Sequence, residues 1–213
     1  MVVRPKEILA PRLLAVDPSL TCSGWALFLI EGERLAAVGK IRALPPGIPM
    51  ARRLKDLQAK VSQCLEELCL GEGDFLVCEA PTTMRDPRAA LLVEQVRGVF
   101  ETLGRARAVE VPGRVNPRTV HREVMGLKGP QLPRLAVKGI AQHMVDALYR
   151  KDLNKMGFPI EGGALAKHQD VFDAILLGNV ALTRLRSARG AGMDADEVFD
   201  ALIKRTPRLR VRG

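Results

Sequence analysis

The spacing of apolar positions changes period several times along this chain, and each change marks an element. RLLAVD (Arg12–Asp17) runs apolar residues into a single carboxylate, and Pro18 and Ser19 then turn the chain into a second apolar run at 24–30. A third run covers 35–41. Short apolar runs bounded by turn residues read as buried strands, so an antiparallel meander of three is predicted. ALPPGIP (43–49) breaks the chain before a helix from 50 to 70, where Leu54, Leu57, Val61, Leu65 and Leu68 recur at helical spacing. Gly71 and Gly73 end that helix. DFLVCEAP (74–81) is again a short apolar run that closes on one carboxylate, Glu79.

A second helix is predicted over 87–103, with Ala89, Leu92, Val93, Val96, Val99 or Phe100, and Leu103 on one stripe. Gly98 inside it costs about 1 kcal/mol relative to alanine, which implies compensating close packing. RARAVEVPG (105–113) is expected as a fifth strand, and 114–138 as a short helix and loop broken by proline and glycine. Helical patterns follow at 133–150, 165–186 and 193–204. Strands first, then alternating helices and strands, then helices: the fold class is α/β, a mixed five-stranded sheet flanked by helices. If the first and fourth strands are neighbours, Asp17 and Glu79 meet at one edge of the sheet.

Length and composition narrow the class. At 213 residues the chain is long enough for a core without disulfides or structural metal. Its four cysteines (Cys22, Cys64, Cys69 and Cys78) lack CxxC spacing and sit in apolar contexts, as reduced core thiols of a cytoplasmic protein do. No apolar run approaches the roughly 18 residues of a membrane span, and the N-terminal stretch lacks the form of a signal peptide. A cytoplasmic protein with no membrane partner is expected.

The net charge of +9 is unevenly distributed. Residues 1–104 are neutral overall, whereas 105–138 hold eight basic side chains against two acidic ones. Residues 184–213 carry a further net +4. Concentrated positive charge is the footprint of a polyanion partner, though a solvated basic face would look the same.

Three places offer chemistry. Asp17 and Glu79 each end a strand, and Asp170 and Asp173 stand three apart in HQDVFDAILLG, on one helical face. Singly, these are a turn former, a surface acid and a helix-start pair. Together they have no basic residue adjacent in sequence to neutralise them, and clustered carboxylates repel unless a cation sits among them. Mg²⁺ or Mn²⁺ suits an all-oxygen site, and two such ions can split a phosphodiester. An acid cluster beside a basic region has the logic of a nuclease.

The motifs AVDPSLTCSGWAL, LVCEAP, AALLVEQVRGV, KGIAQHMV and QDVFDAILLG occur in that order across 12–182. In this the chain resembles the RuvC family of Holliday junction resolvases, which have a ribonuclease H-like fold; the Asp-Pro-Ser-Leu-Thr form looks like phage-type or divergent members. The resemblance implies two Mg²⁺ or Mn²⁺ ions per site, held by Asp17, Glu79, Asp170 and Asp173, with Lys138 near the scissile phosphate. It makes 87–103 the helix of a homodimer, with Leu92, Val93 and Val96 on it and Gly98 allowing close approach. Arg118 falls near a second basic position of the family. Where the family often stacks an aromatic on a junction base, this chain has Thr82, with Met84 and Arg85 as substitutes.

The expected activity is metal-dependent endonucleolytic resolution of four-way DNA by paired symmetric nicks. Arg85, Arg114, Arg118, Arg122, Lys128 and Lys138 are expected to contact DNA, and residues 1–186 to form the nuclease domain. Residues 187–213 are expected to add a C-terminal helix and basic tail. His168, near Asp170, is expected as an ordinary exposed histidine. The competing readings are a nuclease for flaps or Y-forks, a non-catalytic junction binder, and an actin-like ATPase. The last needs two such domains, and 213 residues hold one. No signal names a junction-migration motor.

Overall fold

The structure is a computed structural model and describes residues 10–81, 87–128, 132–159 and 167–204. Thr82, Met84 and Arg85 lie outside the described residues. Five strands form one sheet in the order β3-β2-β1-β4-β5. β1 (Arg12–Asp17), β2 (Cys22–Leu29) and β3 (Arg34–Arg42) make the antiparallel meander, and β4 (Phe75–Glu79) lies parallel to β1. The first and fourth strands are therefore neighbours, the arrangement under which Asp17 and Glu79 were expected to meet.

β5 departs from expectation. It is only Arg114–Val115, paired in parallel with β4, while Glu110 makes an isolated bridge to Phe75. The reason lies upstream: α2 (Pro87–Arg105) runs two residues further than its apolar stripe, and residues 106–108 are spent turning the chain, with Ala108 at φ 60. Only the end of the apolar run then reaches the sheet.

Alternation along the strands sorts the core into two layers. Leu13, Ala15 and Val77 point to one face, where they pack with α5 (Gln169–Ala191), α4 (Arg134–Lys155) and Val120 of α3 (Pro117–Glu123). Leu14, Val16, Leu76 and Cys78 point to the other, against α1 (Met50–Glu67) and α2. With both faces covered, the strands read as unbroken apolar runs rather than alternating ones. The parity has a functional consequence. Asp17 follows Ala15 by two, and Glu79 follows Val77 by two, so both acids fall on the α5 face.

α5 crosses that face at close range. Gly24 of β2 and Gly178 of α5 make this possible, because a Cβ on Gly178 would fall 2.1 Å from the Phe28 ring. α5 is continuous through residues 186 and 187, so the expected domain boundary falls inside a helix. α6 (Ala195–Lys204) packs on α5, and its Phe199 is 2% exposed, joins the α5-side core and lies under the Arg184 guanidinium. The C-terminal segment up to Phe199 thus shares the core of the rest. Cys78 is a buried thiol as expected, but Cys69 is exposed at the turn after α1. No helix among the described residues is long and apolar enough to cross a membrane.

Candidate active site

Strand register brings the first two acids together. Val16 pairs with Cys78 across β1 and β4, and continuing one step sets Asp17 beside Glu79. Their carboxyls lie close enough to perturb one another's titration. On the other side Asp17 pairs with Gly24, and Gly24 with Lys40. Directly opposed residues share a face, so Lys40, Gly24, Asp17 and Glu79 form one row across four strands. α5 begins above this row and lowers Asp170 and Asp173 onto it. All four carboxylates line one cavity of about 560 Å³, with Lys138, Ser19 and Gln169 among its other walls.

Electrostatics confirm that the acids sense one another. Burial first, then the charges of Glu79, Asp173 and Asp170, hold Asp17 well above the usual carboxylate range. Glu79 is pushed up to about 7 by burial and by Asp173, with Arg97 opposing. Asp170 is engaged from outside the cluster: the Lys40 ammonium stands 3.4 Å from its Oδ2, and burial, then Asp170, raises the pKa of the neighbouring Cys22 thiol. The Gln169 amide donates to Asp173 Oδ1 at 2.8 Å.

Among the described residues no three such groups already converge at ligand distance around one point. Asp170 is instead paired with Lys40. The donor set nevertheless fits a hard divalent cation: four carboxylates, oxygen throughout, with Asp17 and Glu79 held above their ordinary range by burial first and then by neighbouring carboxylate charge.

Curated relatives of this chain include proteins named crossover junction endodeoxyribonuclease RuvC. That of Sphingopyxis alaskensis is 29% identical over 146 residues, which span 64% of this chain and 81% of the relative. That of Azorhizobium caulinodans is 31% identical over 116 residues, spanning 54% and 66%. Among solved structures, Thermus thermophilus RuvC in complex with a Holliday junction substrate superposes with a TM-score of 0.58 at 19% identity, over 84% of this chain and 96% of that one.

The chain resembles RuvC in sequence and in fold. No protein-family model matches it.

Beside this RuvC-like core the structure distributes the expected basic residues unevenly. Lys138 lines the acid cavity from the second turn of α4. Arg118, Arg122 and Lys128 are exposed on α3 and the loop after it. Asn116 caps α3, its Oδ1 accepting from Arg118 N at 2.8 Å. Arg122 pairs with Glu123 at 3.0 Å. Arg114 does not join this set. Its guanidinium forks onto Glu101 at 2.7 and 2.9 Å and reaches Glu94 at 2.7 Å, so it is committed to joining β5 to α2.

Two further corrections concern α2 and His168. Val96 is fully buried against the sheet of its own chain and cannot meet a partner, and Val93 lines the acid cavity. Leu92 is half-buried, and Leu91, absent from the expected set, is 67% exposed. A Cβ on Gly98 would meet nothing within 4 Å, so the close packing expected to compensate for this glycine is not made within the described residues of the chain. His168 is half-buried rather than exposed, its ring edge-on to Phe158 at 4.8 Å. Burial, then the Lys40 charge, lowers its pKa.

Sequence reasoning missed Arg97, Gln169 and Lys40. Arg97 is 1% exposed, and its Nε donates to the Glu79 carbonyl oxygen at 2.6 Å while Nη1 meets Glu94. A signal existed, since Arg97 sits in the apolar stripe of α2 with Glu94 and Glu101 at helical spacing. Nothing local could have flagged Lys40, whose partner is 130 residues away.

Proposed function

We propose that this chain is a metal-dependent, structure-selective endonuclease that resolves four-way DNA junctions. The observation that carries this reading is the convergence of Asp17, Glu79, Asp170 and Asp173 with Lys138 in one cavity. That its curated relatives are named crossover junction endodeoxyribonucleases supports the same substrate class.

The four carboxylates would hold two Mg²⁺ or Mn²⁺ ions, which would supply water activation and stabilisation of the leaving oxygen of a phosphodiester. The chain's own part is to hold these groups still. Arg97 fixes the end of β4 behind Glu79, Gln169 orients Asp173, and Lys138 offers a cation to the phosphate beside the acids. Arg118, Arg122 and Lys128 grip flanking phosphates without reading sequence. A homodimer joined along the outer face of α2, through Leu91 and Gly98, would present two sites to two symmetry-related strands and give paired nicks.

The test is cleavage of an end-labelled four-way junction in Mg²⁺ and in Mn²⁺, with linear duplex, Y-fork and flap controls, beside Asp17→Asn. Symmetric nicks near the branch point, absent in the variant, are expected. Preferential cutting of forks or flaps would replace the substrate but keep the site. Junction binding without cutting in either metal would remove the enzymatic reading.

A further inference from the structure

Lys40 is the one basic member of the row Lys40–Gly24–Asp17–Glu79. Its side chain is 14% exposed, an unusual degree of burial for a lysine on an edge strand. The ammonium donates to the Lys167 carbonyl oxygen at 2.5 Å and stands 3.4 Å from Asp170 Oδ2. Lys167 is two residues before α5 begins, so Lys40 clasps both the entry to α5 and its first acid. Gly24 lies between Lys40 and Asp17 in the row and has no side chain to stand between them.

We propose that Lys40 is a positioning residue and a built-in cation: it fixes Asp170 at the start of α5 and supplies a permanent positive charge on that side of the acid cluster. Divalent metal is therefore bound less tightly there than four uncompensated carboxylates would bind it, in exchange for an Asp170 held in place. This rests on the metal-site reading above. A unit charge acting on a divalent ion a few ångströms away changes affinity by roughly tenfold even in a water-like medium, and less as salt screens it.

The experiment is calorimetric titration of Mn²⁺ into the whole protein without DNA, at low and constant ionic strength, for wild type, Lys40→Met, Lys40→Gln and Lys40→Arg. Thermal melts establish that each variant is folded, and the glutamine variant serves if the methionine one is not. Lys40→Met and Lys40→Gln are expected to bind Mn²⁺ about tenfold more tightly, with Lys40→Arg near wild type. At saturating Mn²⁺ the first two should cut a junction more slowly with unchanged junction affinity. A purely structural lysine would lower the melting temperature and weaken metal binding. Unchanged or weaker Mn²⁺ binding in both neutral variants, or an unchanged rate at saturation, overturns the proposal. Wild type that takes up no Mn²⁺ overturns the metal site itself, and this proposal with it.

Discussion

Gly24 lies flat against the main chain of Asp170: a Cβ built on it would fall 1.9 Å from the Asp170 carbonyl oxygen. The contact is backbone to backbone, so no side chain can rotate away to relieve it. It sets how closely α5 approaches the sheet, and hence how far Asp170 and Asp173 stand from Asp17 and Glu79.

Gly24→Ala should therefore separate the two pairs of acids. Overpacking of this kind typically costs about 1–3 kcal/mol, read as a lower melting temperature. Cleavage by the folded variant should fall by far more than that loss implies. Gly178→Ala, which meets the Phe28 ring instead, should destabilise comparably yet leave the folded enzyme's rate closer to wild type. Equal rate losses in the two variants would show that the Gly24 contact has no special bearing on the acids.

Metal-free protein should lose stability as pH rises. Asp17 and Glu79 both have folded pKa values above their ordinary ones, Glu79 at about 7. Between the unfolded carboxylate range of about 4 and that value, unfolding releases protons, so stability is fully present at the acid end and declines toward neutrality. One such group contributes a slope of up to about 1.4 kcal/mol per pH unit. Melts from pH 4.5 to 8 should show the decline, Asp17→Asn should flatten it, and Mg²⁺ should oppose it. A melting temperature that rises across this window would contradict the packing of these acids.

Arg114 and Arg118 should behave oppositely. Each phosphate contact contributes about −0.9 to the log–log dependence of DNA affinity on salt, so Arg118→Ala should reduce the slope by about one unit and leave the melt unchanged. Arg114→Ala should leave the slope alone and leave Glu101, which is 8% exposed, with the looser 3.8 Å pair to Arg105 in place of its two short bonds. Its cost should be about 2 kcal/mol, below the roughly 3–5 kcal/mol of a fully buried pair because Arg114 is partly exposed.

Gly98 tests the proposed homodimer. With open space beside it in the protomer, Gly98→Arg should fold as well as wild type or slightly better, since arginine favours helix over glycine by up to about 1 kcal/mol. Sedimentation should show a shift toward monomer, and junction cutting should pass from paired to unpaired nicks. A variant that remains dimeric would place the interface elsewhere.

What the sequence determined by itself was whatever depends on short spacing. The run Arg12–Asp17 is a strand with the expected bounds, because an unbroken apolar run needs both faces covered and a carboxylate cannot continue it. The parity that aims Asp17 and Glu79 to one face is equally local, as is the three-residue step joining Asp170 to Asp173. The order of five motifs added the RuvC resemblance. The tertiary structure decided the rest, because those choices are made between distant residues. Whether 105–113 became a strand depended on where α2 stopped and on a turn at Ala108. Whether Arg114 faced DNA or Glu101 depended on β5 docking beside α2. Whether Asp170 had a cation of its own depended on a lysine on the edge strand, reached across a glycine. Charge acts through space, and only the fold sets those distances.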